Sequence, residues 1–543
     1  MEREMRYKFM TPVEVWRDFD PTLESLNTTR IRTTVEDGFI YETMYYTGFT
    51  SKEGKARVWT RTMRPQKLKG ALPTLIVVPP CLGVELDISK FKRIAEEGYV
   101  IMVIDYEGYT KNKSRYTLYP DDYSYLNKDL AGRRMLHAEP SARETAWYNW
   151  TILARRAITL AGELEYVDAE KLVMIGEGEG CPIVWQTASQ DVRIKGACTV
   201  FGYDLVYEEG DTEERDCWVT GVDMRSYASY VHIPFLHIGA TNTPDNTFDT
   251  FMKISENMKE KAEFYTDFAF GHDGNISESQ LKTFFVFLEK VFSGEKFAQS
   301  PNLDVTVNGD GELEIEVESE GAKSVTIWYA YGSEAEKRLW KSQTVAKKNG
   351  KYVTKLELAL DDEVLRIFAK SSFGKFSVCS PSKVIVPMAI GVKCVDRRRT
   401  RILYDSLIES NRMLPVSKEK IVPSDAVTIR EGAVGLKGVS ALTEGVCYVR
   451  DVEQMVEFVT AESLQFEYYC EQPKSIKVVL HTVSGKQYVA EREMSGDENW
   501  QREQLPMSSF KDLDFKKLTT WENVWRIDFM GVAGALINKL LLI

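Results

Sequence analysis

The sequence predicts a multidomain chain: a mostly parallel α/β sheet with helices on both faces, then two all-β sandwiches. Three observations carry this. The chain's 543 residues exceed what a single hydrophobic core can serve. Between about Leu72 and Ala298, short continuous apolar runs alternate with segments of helical period. At Ser300-Pro301-Asn302 the pattern changes to short strands separated by polar turns.

In chain order, residues 1–72 are polar, with strand-like runs at Thr33–Tyr46 and Ala56–Met63. LPTLIVVPP reads as a strand, DISKFKRIAEEGY as a helix and VIMVIDYEGY as a strand. ARETAWYNWTILARRAITLAGEL is a long helix with apolar residues recurring at three and four. Strand KLVMIGEG, a short helix from Gly180, strand IKGACTVFG and strand IPFLHIGA follow. Helix FDTFMKISENMKEK, strand EFYTDFAF and helix SQLKTFFVFLEKVF close the block. Residues 299–388 then read as an immunoglobulin- or fibronectin-sized sandwich, and 389–543 as a longer jelly-roll-sized one, leaving 1–298 to the α/β part.

Apolar residues at 43% and charged residues at 28% are those of an ordinary globular chain. With 69 Lys and Arg against 81 Asp and Glu, the net charge of −12 argues against nucleic-acid or anionic-membrane partners. The eight cysteines are scattered, without a CxxC pair, so neither a zinc site nor any other metal is expected. Single thiols suit a reducing compartment. MEREMRYKFM carries no apolar run of signal-peptide length, and no stretch of about 20 apolar residues exists, so a cytoplasmic protein is expected.

Chemistry is expected where strand KLVMI meets the next helix, at Gly176-Glu177-Gly178-Glu179-Gly180. A glycine-rich turn there can cradle a pyrophosphate. Against this, Cys181 displaces the third glycine, Glu177 and Glu179 would face the phosphate, and the motif lies mid-sheet. No nucleotide or other cofactor is therefore expected. The competing reading is a G-x-S-x-G nucleophile elbow.

In that reading the chain resembles the α/β-hydrolase superfamily, in particular its acetyl xylan esterase, cephalosporin-C deacetylase and dienelactone hydrolase relatives. LPTLIVVPPCLG stands where the family has its core strand and oxyanion loop, with Cys81 and Leu82 in that loop. EEGYVIMVIDYEGY, EYVDAEKLVMIGEGEG, IPFLHIGATN and FAFGHDG match, in order, the family's further strands and its elbow, acid and histidine turns. The resemblance covers roughly residues 30–295 and implies a carboxylic ester hydrolase frame.

It also implies a degenerate triad. Gly178 stands at the nucleophile position, Thr243 at the acid position, and only His272 is retained as the base. Nucleophile, base and orienting carboxylate act as a unit, so His272 alone cannot perform acyl transfer. Glycine at the elbow relaxes a backbone strain of about 1–3 kcal/mol. Cys181 lies too far into the helix to substitute, whereas Cys81 is a thiol in the oxyanion loop. Asp245 and Asp249 could approach His272 or cap the helix beginning near Asn246. Asp105, Glu177 and Glu179 share the strand ends with His272 and could bind a ligand or gather a metal, which no spacing demands, or be solvated carboxylates.

SVTIWYAYGSEAEKRLW, with Trp328, Tyr331, Arg338 and Trp340, reads as a sandwich with a buried tryptophan and no binding motif. The C-terminal block resembles galactose-binding-like, jelly-roll carbohydrate-binding modules. There Trp500, Trp521, Trp525, Tyr468 and Tyr469 could stack on sugars or belong to the core. Carbohydrate is thus the one partner expected, and the oligomeric state stays open. Three readings compete: a catalytically inactive esterase-like binding or scaffolding protein, an active esterase or deacetylase with a nonstandard nucleophile, and a structural assembly protein.

Overall fold

The computed structural model describes residues 7–543 except 82, 84, 86, 110–112, 124–134, 203–204, 206–211, 244–246, 259–262, 272–275, 309–311, 336–337, 339, 359–362, 392–398, 407–412, 418–419, 422–426, 442, 450–454, 457–460, 483 and 522. Leu82, Asp245 and His272 fall outside the described residues. The chain divides into two compact units: Met1–Gly239, Asp249–Asp267 and Lys282–Ser300 form one, and Ala240–Phe248, Phe268–Leu281 and Pro301–Ile543 the other.

The first unit is organised by a sheet of nine strands among the described residues. They are β1 (Thr29–Glu36), β2 (Phe39–Thr50), β3 (Lys55–Pro65), β4 (Leu72–Val78), β5 (Val100–Ile104), β6 (Val167–Glu177), β7 (Gly196–Val200), β8 (Phe235–Ala240) and β9 (Phe264–Ala269). Their order is β1-β2-β3-β5-β4-β6-β7-β8-β9. β1–β2, β2–β3 and β3–β5 are antiparallel, whereas β5–β4, β4–β6, β6–β7 and β7–β8 are parallel. β5, β7 and β8 are buried along their whole length, as strands covered on two faces must be, which explains their unbroken apolar runs. Helix Ala146–Glu163 is capped by the Thr145 hydroxyl, which accepts the Tyr148 N–H at 3.2 Å, and packs beside β2, β4 and β6. This mixed sheet, with its strand–turn–helix elbow after β6, fits an α/β hydrolase.

Two local expectations change. The single run expected over Thr33–Tyr46 is a hairpin, because Asp37 (φ 49°) and Gly38 (φ 81°) form a two-residue turn between β1 and β2. The helix expected over 87–99 is short: a 3₁₀ turn Ile88–Phe91 followed by Lys92–Glu96.

After Ser300 the chain forms all-β sheets, antiparallel except for the short parallel pair of Arg399–Thr400 with Met455–Val456. The first pair uses β10 (Asn302–Asn308), β11 (Glu312–Glu318), β12 (Ser324–Tyr331), β13 (Lys341–Val345), β14 (Lys347–Lys348), β15 (Lys351–Glu357), β16 (Leu365–Ser372), β17 (Ser377–Cys379) and β18 (Lys383–Ile385). One sheet runs β10-β11-β15-β14 and the other β13-β12-β16-β17, with β18 on β16. Leu313, Ile315, Val325, Ile327, Ile367 and Ala369 belong to their common core. From Ile402 to Leu542 the chain builds, among the described residues, two six-stranded sheets around Tyr404, Phe466, Trp521, Phe529 and their neighbours.

Candidate active site

β6 ends at Glu177, the chain turns at Gly178, and a helix begins at Gly180 and runs to Gln190. Three glycines in five residues make this turn. A Cβ on Gly176 would lie 2.6 Å from the Gly180 carbonyl oxygen, and one on Gly180 2.2 Å from that of Val78. Neither position has room for a side chain, since both obstacles are backbone. Gly178 differs: it is at φ +54°, and a Cβ there would meet Pro80 Cβ at 3.0 Å. The apex thus has the left-handed conformation in which an elbow holds its nucleophile, and it carries no side chain.

A working elbow directs backbone N–H groups at a developing oxyanion, one of them from the loop after a neighbouring strand. That loop follows β4 here, and two of its described donors are taken. The Cys81 N–H donates to Glu179 Oε2 at 3.1 Å, and the Gly83 N–H to Glu107 Oε1 at 3.0 Å. Both partners are carboxylates of the chain itself. Glu179, expected to bind a ligand or face solvent, instead occupies the position of one.

Asp105 needs a similar correction, and Glu107 shares its surroundings. Both are buried, and the Lys113 ammonium lies between them, donating to Asp105 Oδ1 at 2.7 Å and to Glu107 Oε2. Asp105 also accepts the Thr117 and Gly108 N–H groups at 2.6 and 3.3 Å. Burial raises the Asp105 carboxyl, opposed by Lys113. For Lys113, burial acts to lower the value, but the charge and hydrogen bonds of Asp105 and Glu107 outweigh it and hold the ammonium protonated. Asp105 is therefore neither solvated nor open to a ligand. Glu177 is half-buried, and burial pushes its carboxyl up against the pull of Lys90.

Cys81 is unsuited to nucleophilic work. Burial drives its thiol far above the ordinary range, and the Glu107 hydrogen bond and the Glu107 and Glu179 charges add to this. Cys181 is wholly buried and donates from Sγ to the Gly176 carbonyl at 3.4 Å. A cavity of about 20 Å³ lies beside the cluster, lined by Trp59, Pro79, Pro80, Asp105, Glu107 and Lys113 among others. It has room for a water molecule and no more. Among the described residues, no three His, Cys, Asp or Glu side chains group as metal ligands would.

Thr243 belongs to the second unit, where it serves the backbone: its hydroxyl accepts the Phe248 N–H at 3.2 Å, just inside helix Thr247–Met258. That cap was expected of an aspartate. The preceding residue anchors the turn, as Asn242 Nδ2 donates to the carbonyls of Arg338 at 2.7 Å and Ala335 at 3.2 Å. Phe248 packs edge-on against Trp340 at 5.1 Å, and Phe270 stacks on Trp328 at 5.6 Å. Phe368 alternates along β16 with the core residues Ile367 and Ala369, so it and its register partner Trp328 lie on the sheet's outer face. The expected buried tryptophan exists as Trp340, but it packs against Phe248 and Phe368 and not inside the sandwich.

In the C-terminal sheets Trp521 is fully buried, with its indole N–H donated to the Ala461 carbonyl at 3.1 Å, so it has no face for a sugar. Trp500 is half-buried over Gly432 and Gly438, its N–H held by the Ala433 carbonyl at 3.2 Å. Tyr468 is buried, while Trp525 and Tyr469 are half-buried. Sequence reasoning missed Glu107 and Lys113. Glu107 lies two residues beyond Asp105 and was a findable neighbour, whereas nothing in the polar stretch around Lys113 marks it as a buried cation.

No protein-family model matches the sequence, nor does any curated protein. Among solved structures the chain is similar to an acetyl xylan esterase from Paenibacillus sp. R4 at 15% identity and TM-score 0.40, over 50% of this chain and 90% of that one. It is similar to acetyl xylan esterase 1 from Thermoanaerobacterium sp. JW/SL YS485 at 11% identity and TM-score 0.41, over 53% and 96%. A glucuronoyl esterase from Solibacter usitatus gives 9% identity and TM-score 0.38, over 52% and 91%. Dienelactone hydrolase-like proteins are also among these neighbours.

Proposed function

We propose that this chain is a catalytically inactive, esterase-like α/β-hydrolase protein that works by binding or scaffolding. The observation that carries the reading is the Glu179 carboxylate on the Cys81 N–H at 3.1 Å, beside an apex, Gly178, that has no nucleophilic atom. An oxyanion donor already holding an internal anion cannot stabilise a transition state without first losing that partner. The suppressed acidity of Cys81 supports the same reading, since the thiol of the loop after β4 is kept protonated. Acetylated glycan is the first ligand class to test. That choice rests on the resemblance of the sequence motifs to carbohydrate esterases.

The test is hydrolysis of short-chain nitrophenyl esters and acetylated oligosaccharides by the full chain. We expect turnover indistinguishable from that of the His272→Ala variant. Turnover above background that disappears in His272→Ala would overturn the proposal. A second reading, a structural assembly role, is favoured by one observation: the turn at the acid position is committed to the β unit through Asn242, Arg338 and Trp340. It is distinguished by a glycan-binding screen of the full chain, in which silence across acetylated glycans favours assembly over ligand binding.

A further inference from the structure

β1 is the edge strand of the nine-stranded sheet, paired with β2 on one side and, among the described residues, with no strand on the other. Seven of its eight residues are exposed on a strand without lysine or proline, and Ile31 and Val35 are each 58% exposed. Open edges of this kind are usually blunted, because their free N–H and C=O groups template pairing with another chain. A bulge between Arg30 and Arg32 ends the regular pairing, so Arg32 to Glu36 is the stretch that runs in even register.

That stretch, Arg32-Thr33-Thr34-Val35-Glu36, is complementary to itself when reversed. A strand pairing antiparallel with its own copy must place the two-fold axis on a residue. An axis between residues would equate a hydrogen-bonded pair with a non-hydrogen-bonded one. With the axis at Thr34, Arg32 faces Glu36 of the second copy, Thr33 faces Val35, and Thr34 faces itself. The Arg–Glu contact and the Thr–Val contact then each occur twice. Placed on Thr33, the axis would set Glu36 against Arg30 beyond the bulge, where the alternation of faces is broken. Placed on Val35, it would leave Arg32 without its carboxylate. The charges are also available: among the described residues neither Arg32 nor Glu36 holds a hydrogen bond or ion pair, whereas Arg30 is engaged by Glu42 at 3.4 Å.

We propose that β1 joins two copies of this chain across a two-fold axis at Thr34, continuing the sheet from one copy into the other. A five-residue seam is small beside a standard interface, so the association is weak and depends on concentration. The proposal is independent of the functional reading above.

Sedimentation velocity of the full chain over roughly 1 to 100 μM should show a reversible monomer–dimer equilibrium. Glu36→Arg replaces two opposite-charge contacts by like-charge ones and should raise the dissociation constant roughly tenfold. Arg32→Glu combined with Glu36→Arg should restore it, an outcome that general damage to the strand would not give. Under mild oxidation Thr34→Cys should form an interchain disulfide and Thr33→Cys should not, because only residue 34 faces its own copy. The described native thiols are buried or, for Cys81, half-buried, which keeps the background low. Far-ultraviolet circular dichroism establishes that each variant is folded. A monomer throughout the range, a dimer indifferent to Glu36→Arg, or equal cross-linking at positions 33 and 34 would overturn the assignment.

Discussion

The Glu179 carboxylate accepts the Cys81 backbone N–H at 3.1 Å, so the turn after β6 is tied to the loop after β4 by a charged hydrogen bond. Cutting Glu179 back to alanine removes a charge-assisted hydrogen bond and leaves a half-buried N–H without its anion. The expected loss is about 1–2 kcal/mol, read as a lower urea midpoint. The variant is also expected to gain no esterase activity, since Gly178 still lacks a nucleophile. Ester turnover in Glu179→Ala alone would show that the site was blocked and not retired.

Gly178→Ser tests the strain directly. The residue is at φ +54°, and the new Cβ meets the stiff Pro80 ring at 3.0 Å. A cost of about 1–3 kcal/mol is expected from the left-handed backbone. Adding Thr243→Asp should not recover that stability, because it leaves the φ at 178 and the Pro80 contact unchanged. A Gly178→Ser variant as stable as the parent would contradict this account of the apex.

Lys113 is the sole counter-charge in contact with the two buried carboxylates Asp105 and Glu107 among the described residues. Lys113→Met should destabilise the protein by about 3–5 kcal/mol at neutral pH, the usual penalty for stranding a buried charge. Without the ammonium, burial raises the Asp105 carboxyl further above its unfolded value. Protons therefore bind the folded variant preferentially, and its deficit relative to the parent should shrink as the pH is lowered from 7 to 5. Denaturant midpoints at the two pH values decide this. A constant deficit would mean that the loss is one of packing alone.

His237 supplies a second pH dependence. Its ring is stacked on Phe251 with centroids 3.5 Å apart and is hydrogen-bonded to Thr199 Oγ1 at 2.9 Å, and burial brings its pKa down to about 3. The unfolded chain takes up the proton near pH 6.5 and the folded chain only near 3. Stability from this residue is thus complete above about pH 6.5 and declines as the pH falls from there toward 3. His237→Phe, which preserves the stacking, should flatten that slope between pH 6.5 and 4.5, even if it is less stable throughout. An unchanged slope would place the acid sensitivity elsewhere.

The strands that build the α/β sheet were readable because burial on two faces forces continuous apolar runs, as in LPTLIVV and VIMVI. The elbow was readable because a sharp strand-to-helix turn with two backbone obstacles accepts only glycine at 176 and 180. The β1–β2 hairpin was legible in Asp37-Gly38 but was absorbed into one long run. Trp521 illustrates the opposite case, as aromatic residues suit both a sugar platform and a core, and only its full burial distinguishes them.

The sequence by itself determined the elements, the glycine turn and the absence of a nucleophilic atom at Gly178, for these follow from local sterics and from hydrophobic period. Only the tertiary structure decided what the remaining polar groups do. Glu179 and Cys81 are 98 residues apart in the chain. Whether that carboxylate meets solvent, a ligand or a backbone N–H depends on how β4 and β6 are placed side by side. The same holds for Lys113, whose burial against Asp105 and Glu107 no periodicity records. Charge compensation at a buried site is a non-local quantity, and the chain expresses it only once folded.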